Sequence, residues 1–462
     1  MLNTNELDTP FQWSNAPFNQ SAACRAEVPR FCLLLLLCCA AGFQPAAGAA
    51  VLPVQQQVAE RACNAIARYV GAPSGPPVFL QSYVTRDGDA EPSLKTAAFT
   101  YDNALAVIAL VACDKLPQAI RVGEALRRAA TTGARLQNAY RAGPVEGDVL
   151  PNGWWDPKTN RWLEDPHQSG TSTGNVAWAA LALLALDRAT GEPRWREAAE
   201  HLATWITDNA WSAGGVPGFA GGLEGFDPRP DKLTWKSTEH NIDAAALFEW
   251  LARDSKSSQW ERAAREARHF VDMQWDARTG HFFAGTLPDG GENRGASVLD
   301  VQMWANLLPN PQAEWRRAVR YAEKDIGVAG GFDFNTDRDG LWLEGTAQAA
   351  LVYGTLGERA KADELFTTIS GQFAAASGYV YATREARITT GLSLGPHSST
   401  ADFYYFHRPH LGATAWAALA ALAWNPFVAH PRERSSASTV GRFKERSDGA
   451  GVARGAGSGL RP

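Results

Sequence analysis

Stretches of small apolar residues alternate along the chain with stretches that are charged on one face and apolar on the other. Six stretches are apolar nearly all round, rich in Ala and Gly, and begin at or near a polar or acidic residue. This composition is typical of helices buried on both sides, because small side chains let neighbouring backbones approach closely. The sequence predicts these inner helices at residues 100–110, 173–186, 238–251, 298–308, 343–356 and 411–424.

The other six stretches carry Arg, Lys and Glu on one face and apolar residues at helical spacing on the other, which predicts surface helices. These outer helices are predicted at residues 55–70, 118–131, 192–209, 259–274, 312–325 and 358–373. Outer and inner helices alternate strictly, so an inner ring of six wrapped by an outer ring of six gives a compact solution. We therefore expect an all-α fold, an (α/α)6 barrel, with a helical bundle or an open superhelix as the alternative.

The predicted connections differ in length at the two ends of the hairpins. Turns from an inner to an outer helix are short, at residues 114–117, 187–191, 254–258 and 309–311 and around Gly357. Connections from an outer to an inner helix are long, at residues 71–99, 132–172, 210–237, 275–297, 326–342 and 374–410. The long loops therefore gather at the end where the inner helices begin, and loops on a rigid scaffold are where function concentrates.

These long loops are rich in aromatic residues beside carboxylates. They contain Trp154, Trp155 and Asp156 together, Trp235 further along, and Trp342 just before the fifth inner helix. Flat aromatic faces stack on the C–H faces of sugar rings, while acids and amides bind the hydroxyls. We expect these residues to bind a carbohydrate; the alternative is that they pack against the barrel rim.

Acidic residues occupy the first turns of four inner helices. They are Asp102, Glu239 with Asp243 one turn later, Asp300 and Glu344. A carboxylate at a helix start can simply cap the free backbone N–H groups, which is the structural alternative. Acids gathered around one opening also repel one another and raise each other's pKa, as in acid–base catalytic sites.

Cleavage of a glycosidic bond needs one protonated carboxyl group as proton donor and one ionised carboxylate to activate water or attack carbon. We predict Glu239 as the donor, because Asp243 and His240 lie close enough in sequence to orient it and to bind substrate. For the base we predict Glu344 or Asp102, with Asp300 as the third choice.

Further residues at the same opening complete the predicted substrate site. Arg408 and His410 precede the last inner helix, and an Arg there can hold a carboxylate or a sugar hydroxyl. Tyr101 and Asp300 stand in the first turns of two other inner helices and are also predicted to bind substrate. Histidines such as His240 and His410 could instead move the proton themselves, or only pack and cap helices.

The two ends of the chain differ from the helical part. The apolar run at residues 31–43 follows Arg25 and Arg30 and precedes small residues, which is the order of a secretory signal. We predict residues 1–50 as a signal or membrane-anchor segment, and hence a secreted or periplasmic protein. Residues 51–427 form the predicted catalytic domain, and residues 428–462, rich in Ser, Gly and Arg, a disordered basic tail.

Charge and cysteine content exclude several functions. The formal net charge is −5, and the basic tail makes the remaining domain more acidic still, which disfavours nucleic acid as a partner. The sequence has no nucleotide-binding fingerprint and no metal-spaced histidine pair, so we expect no cofactor and no obligatory metal. Cys63 and Cys113 remain after the signal segment and form either one disulfide or two buried thiols.

Six motifs, one at each predicted inner helix, resemble the six-hairpin glycosidase superfamily. They are FTYDNALA, TGNVAWAALALLAL, KSTEHNID, SVLDVQMWA, GLWLEGTAQAA and RPHLGATAWAALA. The resemblance spans residues 51–427, indicates a secreted bacterial branch, and implies an inverting hydrolase whose acid and base come from inner-helix N-termini. We expect a secreted glycoside hydrolase acting on a glucan or an exopolysaccharide. The alternatives are a sugar epimerase or isomerase that uses histidines, a polysaccharide lyase and a non-catalytic carbohydrate-binding barrel.

Overall fold

The computed structural model describes residues 53–86, 89, 91–295, 297–392 and 403–431. The predicted signal segment and most of the predicted tail lie outside these residues. The α-helices are α1 (Val54–Val70), α2 (Thr100–Ala112), α3 (Leu116–Thr132), α4 (Pro166–Ser169), α5 (Thr173–Thr190), α6 (Pro193–Asn209), α7 (Thr238–Ser255), α8 (Ser258–Met273), α9 (Leu299–Trp304), α10 (Arg316–Asp325), α11 (Leu343–Leu356), α12 (Arg359–Ser370) and α13 (Leu411–Ala421). Short 3₁₀ turns lie at Pro92–Leu94, Ala305–Leu307 and Ala313–Trp315.

The inner helices close into a ring. Helices α2, α5, α7, α9, α11 and α13 contact one another in this order, and α13 returns to contact α2. The outer helices α3, α6, α8, α10 and α12 pack on α2, α5, α7, α9 and α11, and α1 packs on α13. The predicted (α/α)6 barrel is thus confirmed, and the closed ring excludes an open superhelix.

The predicted inner helices all form, and each begins within one residue of its predicted start. The fourth is shorter than predicted, because α9 ends at Trp304 and continues as the 3₁₀ turn Ala305–Leu307. Leu308 is extended with ψ 151°, the conformation favoured before a proline, here Pro309. The helix therefore cannot continue to residue 308.

Burial follows the division into two kinds of helix. The inner helix α5 is buried along almost its whole length, because Ala and Leu cover every face of it. The outer helix α8 buries Trp260, Ala263, Ala267 and Phe270, which recur every three or four residues and so line one face. One apolar layer therefore lies between the two rings, and a second fills the inner ring.

The long connections carry short antiparallel strand pairs, some within one connection and some between two. Strand pairs are β1 (Val78–Phe79) with β4 (Gly143–Pro144), β2 (Ala97–Phe99) with β3 (Ala139–Arg141), β5 (Trp154–Asp156) with β6 (Arg161–Leu163), β8 (Trp211–Ser212) with β9 (Gly218–Phe219), β12 (Trp275–Asp276) with β13 (His281–Phe282), β14 (Gly327–Val328) with β15 (Gly331–Phe332) and β16 (Arg387–Thr389) with β17 (Tyr404–Phe406). A three-stranded sheet joins β7 (Thr171–Ser172), β10 (Gly222–Glu224) and β11 (Asp231–Leu233). We call the end of the barrel that bears these loops the mouth.

A disulfide ties the first two helices of the barrel together. Cys63 on α1 is bonded to Cys113, which directly follows α2, with their Cα atoms 5.7 Å apart. This settles the choice between a disulfide and two free thiols. None of the helices within the described residues is both long and apolar enough to cross a membrane.

Three tryptophans close the inner ring one turn below the mouth. Trp178, Trp304 and Trp416 come from α5, α9 and α13, which alternate around the ring, and their ring centroids lie 5.5 to 5.9 Å apart. Phe427 packs against Trp178 at 5.1 Å and Trp304 at 5.5 Å. We call these four side chains the aromatic floor; they make the barrel blind.

Candidate active site

The predicted acids meet at the mouth. Asp102, Asp300 and Glu344 lie in the first turns of α2, α9 and α11, and Glu239 and Asp243 lie one turn apart on α7. Asp102, Asp243, Asp300 and Glu344 are only 2, 0, 4 and 1% exposed. Of the five, only Glu239 is partly exposed. Their mutual electrostatic effects show that they form one cluster.

One side of the cluster is built around His410, the N-cap residue of α13. Its Nε2 atom lies 3.2 Å from Asp102 Oδ2, and its Nδ1 atom lies 3.6 Å from Glu344 Oε2. Tyr101 donates a 2.7 Å hydrogen bond to Glu344 Oε1 and accepts one of 2.8 Å from Trp416 Nε1. One oxygen of Glu344 therefore accepts a hydrogen bond and the other faces the His410 ring, and Tyr101 links Glu344 directly to the aromatic floor.

The protonation state of His410 decides what its Nδ1 atom does. Neutral, this atom accepts the backbone N–H of Ala413 at 3.3 Å and caps α13; protonated, it faces the Glu344 carboxylate instead. Burial lowers the pKa of His410, but the charges of Asp102 and Glu344 outweigh burial and raise the pKa above its ordinary value. The charged imidazolium is thus favoured between the two carboxylates.

The other side of the cluster lies on α5 and α7. Trp235 packs beside His240 with ring centroids 5.6 Å apart, and burial lowers the pKa of His240 to about 4. Gly174, at the start of α5, leaves room for both His240 and Asp243: a Cβ there would lie 2.5 Å from His240 Cδ2 and 3.1 Å from Asp243 Oδ2. His240 is therefore a neutral imidazole in a tight polar corner.

Burial and like charge raise the pKa values of several of these acids. Burial, then the charges of Asp300 and Glu344, raise the pKa of Glu239 well above its usual range. Burial and the charges of Glu239 and Asp300 do the same to Asp243, with the Trp178 side chain acting in the opposite direction. Burial raises the pKa of Asp300 to about 7.

Glu344 differs from Glu239 in its neighbours. Burial raises the pKa of Glu344 to about 7, and His410 and the Tyr101 hydroxyl oppose that rise. For Glu239, in contrast, burial and the neighbouring acids all raise the pKa. Two carboxyls of one cluster are therefore biased toward different protonation states, which is the arrangement that acid–base catalysis uses.

Two groups among the described residues have a geometry that could hold a metal ion. They are Asp102, Glu344 and His410, and Asp333, Asp337 and Asp339. The first group is already linked internally, with His410 between the two carboxylates. In the second, Asp333 accepts backbone N–H groups of its own loop, and Asp337 and Asp339 accept from Thr389. We assign no ion to either group.

Among the described residues, no hydrogen bond, ion pair or ring contact joins the aromatic hairpin β5–β6 to the acids. Trp155 is 54% exposed and pairs across the hairpin with Trp162, while Trp154 is only partly exposed. The carboxylate of Asp156 accepts from the Lys158 N–H at 3.0 Å and the Thr159 hydroxyl at 2.6 Å, so it shapes the hairpin turn. The structure therefore does not bring Asp156 to the acid cluster, although sequence reasoning placed it in the substrate site.

Two other predicted binding residues are engaged elsewhere. Trp342 is 2% exposed and packs on Phe334 and Tyr405, so its ring belongs to the core beneath the mouth. Arg408 pairs with Glu91 and lies 3.4 Å from Asp89, because the long loop before α2 folds across it. Both side chains support the mouth without presenting a free face to it.

Sequence reasoning did not single out several residues that touch the cluster. Tyr83 stacks on His410 at 4.4 Å, and Tyr405 meets the same ring edge-on at 6.0 Å. A Cβ on Gly412 would lie 2.6 Å from Asp102 Oδ1 and 2.8 Å from Glu344 Oε2, so the cluster closes over this glycine. The sequence offered one indication that Gly412 is part of the site, which is its position in the first turn of a predicted inner helix.

Solved structures show the same architecture at low sequence identity. A glycosidase in complex with glucose is 14% identical with a TM-score of 0.52, covering 81% of this chain and 97% of that one. A sugar epimerase from a ruminal bacterium is 10% identical with a TM-score of 0.56, covering 79% and 98%. An α-1,6-mannanase of Salegentibacter sp. in complex with α-1,6-mannotriose is 14% identical with a TM-score of 0.51, covering 81% and 100%.

No family model and no curated protein matches the chain. The comparison with known proteins therefore rests on the similarity to solved structures, which extends over about four-fifths of the chain. The predicted resemblance is confirmed at the level of architecture: this chain has the six-hairpin (α/α)6 fold, which hydrolases and an epimerase of sugars share.

Proposed function

We propose that the protein is a glycoside hydrolase that acts on a neutral saccharide by paired-carboxylate catalysis with inversion. The observation that carries this proposal is the contrast between Glu239, whose pKa is raised by burial and other acids, and Glu344, whose oxygens face Tyr101 and His410. Secretion belongs to the same proposal and rests on the predicted signal segment at residues 31–43.

Glu239 is the proton donor in this mechanism. Its raised pKa favours the protonated form that a proton donor needs, and it is the most accessible acid of the cluster. As the bond between the anomeric carbon and the glycosidic oxygen breaks, Glu239 gives its proton to that oxygen.

Glu344 is the base. It takes a proton from a water molecule, whose oxygen forms the new bond to the anomeric carbon, so one bond breaks and one forms. Its helix, α11, is separated from α7 by α9 in the inner ring, so the acid and the base come from helices that are not adjacent. Asp102 acts through His410, because it holds the imidazole that faces Glu344.

The test is turnover of a panel of neutral polysaccharides and oligosaccharides, read by mass spectrometry. Glu239→Gln and Glu344→Gln should each lower kcat by about 10²- to 10⁴-fold with the fold retained by circular dichroism. Glu197→Gln, an exposed acid on the outer helix α6, is the matched control and should behave as wild type. Full turnover in both site variants would refute the assignment, and binding without any product would favour the non-catalytic barrel.

A specific observation favours sugar epimerisation as a second candidate. The pKa of His240 is lowered to about 4 whereas that of His410 is raised, so a neutral base and a charged acid are present at one mouth. An epimerase would form an isomer of unchanged mass and incorporate deuterium from D₂O. Loss of that exchange in His240→Ala, with exchange retained in Glu239→Gln, would select this reaction over hydrolysis.

A further inference from the structure

The hairpin β5–β6 exposes two tryptophans side by side. Trp155 and Trp162 are 54% and 43% exposed, and the register of the strands places them directly opposite each other. Residues that are directly opposite project from the same face of a hairpin, with their Cβ atoms about 5 Å apart. A contiguous exposed apolar surface, unlike a single exposed residue, marks an interaction site.

A positive charge borders this surface. The guanidinium of Arg141, on the neighbouring strand β3, lies over the Trp162 ring at 4.8 Å from its centroid. It covers one face of that indole and places N–H donors beside both tryptophans. We call Arg141, Trp155 and Trp162 the aromatic patch.

The hairpin holds the patch in a fixed shape. The Asp156 carboxylate closes the turn by hydrogen bonds to the two residues at 158 and 159, and Asn160 takes a φ of 53°, which asparagine tolerates. A Cβ on Gly153 would lie 2.6 Å from Trp162 Nε1, so only glycine lets this indole lie against the backbone of β5. A surface that is already ordered loses little conformational entropy when it binds.

The hairpin is braced on the side of the mouth where Glu239 lies. The side-chain amide of Asn152, just before β5, donates a 2.6 Å hydrogen bond to Gln168 on the short helix α4, which begins three residues after β6. His167 on the same helix lies near enough to His240 for its charge to lower the pKa of His240. Because His240 directly follows Glu239, a continuous run of structure leads from the proposed proton donor through α4 to the hairpin.

The chemistry of the patch matches a sugar chain. Indole faces stack on the C–H faces of sugar rings, and a guanidinium donates hydrogen bonds to their hydroxyls. The tip of the hairpin exposes Lys158, Asn160 and Arg161, and burial of these polar groups in a lipid layer would cost free energy. Since the hairpin is braced beside the proposed proton donor, the partner that reaches both is the substrate itself.

We propose that the aromatic patch binds the part of a sugar chain that extends out of the mouth, beyond the units held at the acids. The enzyme then acts faster on long chains than on short ones. The reaction in this inference is that of the proposed function, whereas the binding surface rests on the exposure, register and bracing of the two indoles.

The first experiment measures kcat/KM of the full chain on malto- and manno-oligosaccharides of increasing length. The value should rise with chain length in wild type, and Trp155→Ala should lose about tenfold on the longest substrate and nothing on the shortest. Trp155→Tyr keeps an aromatic face and should retain most of the rise. Trp211→Ala, which removes an indole 38% exposed on another loop of the mouth, should match wild type.

Two results of this experiment would overturn the patch and leave the hydrolase intact. One is a wild-type rate that does not depend on chain length. The other is an equal loss on short and long substrates in Trp155→Ala. Because Trp155 is more than half exposed, the variant should melt with wild type, and a lower melting temperature would show that the indole has a structural role instead.

Native gels that contain amylose, α-mannan or a mixed-linkage β-glucan test binding without turnover. At least one polymer should retard wild type and Trp211→Ala, and it should retard Trp155→Ala much less. This pattern without cleavage of any polymer would retain the patch and remove the hydrolase, whereas absence of retardation by all three would overturn the patch. Co-sedimentation with phosphatidylglycerol vesicles that is lost in Trp155→Ala would also overturn it, because the patch would then bind a lipid surface.

Discussion

The hydroxyl of Tyr101 donates a 2.7 Å hydrogen bond to Glu344 across 243 residues of sequence, from one inner helix to another on the far side of α13. The same oxygen accepts the Trp416 indole N–H at 2.8 Å. A donor aimed at a carboxylate stabilises the ionised form, so this contact favours the role of Glu344 as the base.

Replacement of Tyr101 by Phe should lower kcat by roughly ten- to a hundredfold, because a hydrogen bond to a charged group is lost. The pKa of Glu344 should rise further, and the acidic limb of the rate profile should move to higher pH. The pH dependence of kcat measures this. An unchanged limb in an active Tyr101→Phe variant would contradict the role of Glu344 as base.

The raised carboxyl pKa values predict that the protein loses stability as the pH rises. A carboxyl group with a higher pKa in the folded state contributes stability that is fully present below its unfolded pKa and is lost as the pH rises through its folded pKa. The pKa values of Asp300 and Glu344 are both raised to about 7. The melting temperature should therefore fall between about pH 4, near the unfolded pKa values, and about pH 7, the folded values, and Asp300→Asn should flatten that fall. Melts across this range provide the measurement, and an identical slope in wild type and variant would contradict the prediction.

The disulfide between Cys63 and Cys113 should contribute to stability through the length of the loop that it closes. The two cysteines are 50 residues apart, and a bridge of this span restricts the unfolded chain by roughly 2–4 kcal/mol. Cys63→Ser should lower the free energy of unfolding by about that amount. The double variant with Cys113→Ser should cost no more than the single change. Denaturant titrations of the oxidised proteins measure both, and unchanged stability would show that the bridge does not form.

The helices of the barrel could be predicted from the sequence because their cause is local. Apolar periodicity and small side chains distinguish an inner from an outer helix, and the polar residue that opens each inner helix marks its first turn. For that reason α11 begins at Leu343 and α13 at Leu411, as predicted. The convergence of Asp102, Glu239 and Glu344 followed from the same reasoning, since a closed ring brings all inner-helix N-termini to one end.

The surroundings of individual site residues could not be predicted in the same way. They depend on contacts between distant parts of the chain, which no local sequence pattern encodes. Trp342 resembled a stacking platform, but Phe334 and Tyr405 cover it. Arg408 was predicted to bind substrate, but its guanidinium pairs with Glu91 in the loop before α2. The aromatic floor could not be predicted, because its three tryptophans lie on three separate inner helices. Only the closed ring brings them into contact. Such assignments need the tertiary structure.

Gly412 offers a test of how tightly the cluster is packed. A Cβ at this position would lie 2.6 Å from Asp102 Oδ1, 2.8 Å from Glu344 Oε2 and 2.9 Å from His410 Cε1. Because real Cβ atoms do not approach this closely, Gly412→Ala must push the carboxylates apart. Gly354→Ala on α11 is the matched control, because its Cβ meets nothing within 4 Å.

We expect the two changes to have opposite effects. Gly354→Ala should raise the free energy of unfolding by roughly 0.5–1 kcal/mol, because alanine favours the helix. Gly412→Ala should instead lower the melting temperature and reduce kcat by at least about tenfold, since small displacements of catalytic groups cost rate steeply. Thermal melts and turnover assays of both variants, measured beside wild type, test these two expectations. A Gly412→Ala protein as active as wild type would show that Asp102 and Glu344 need not hold their present separation for catalysis.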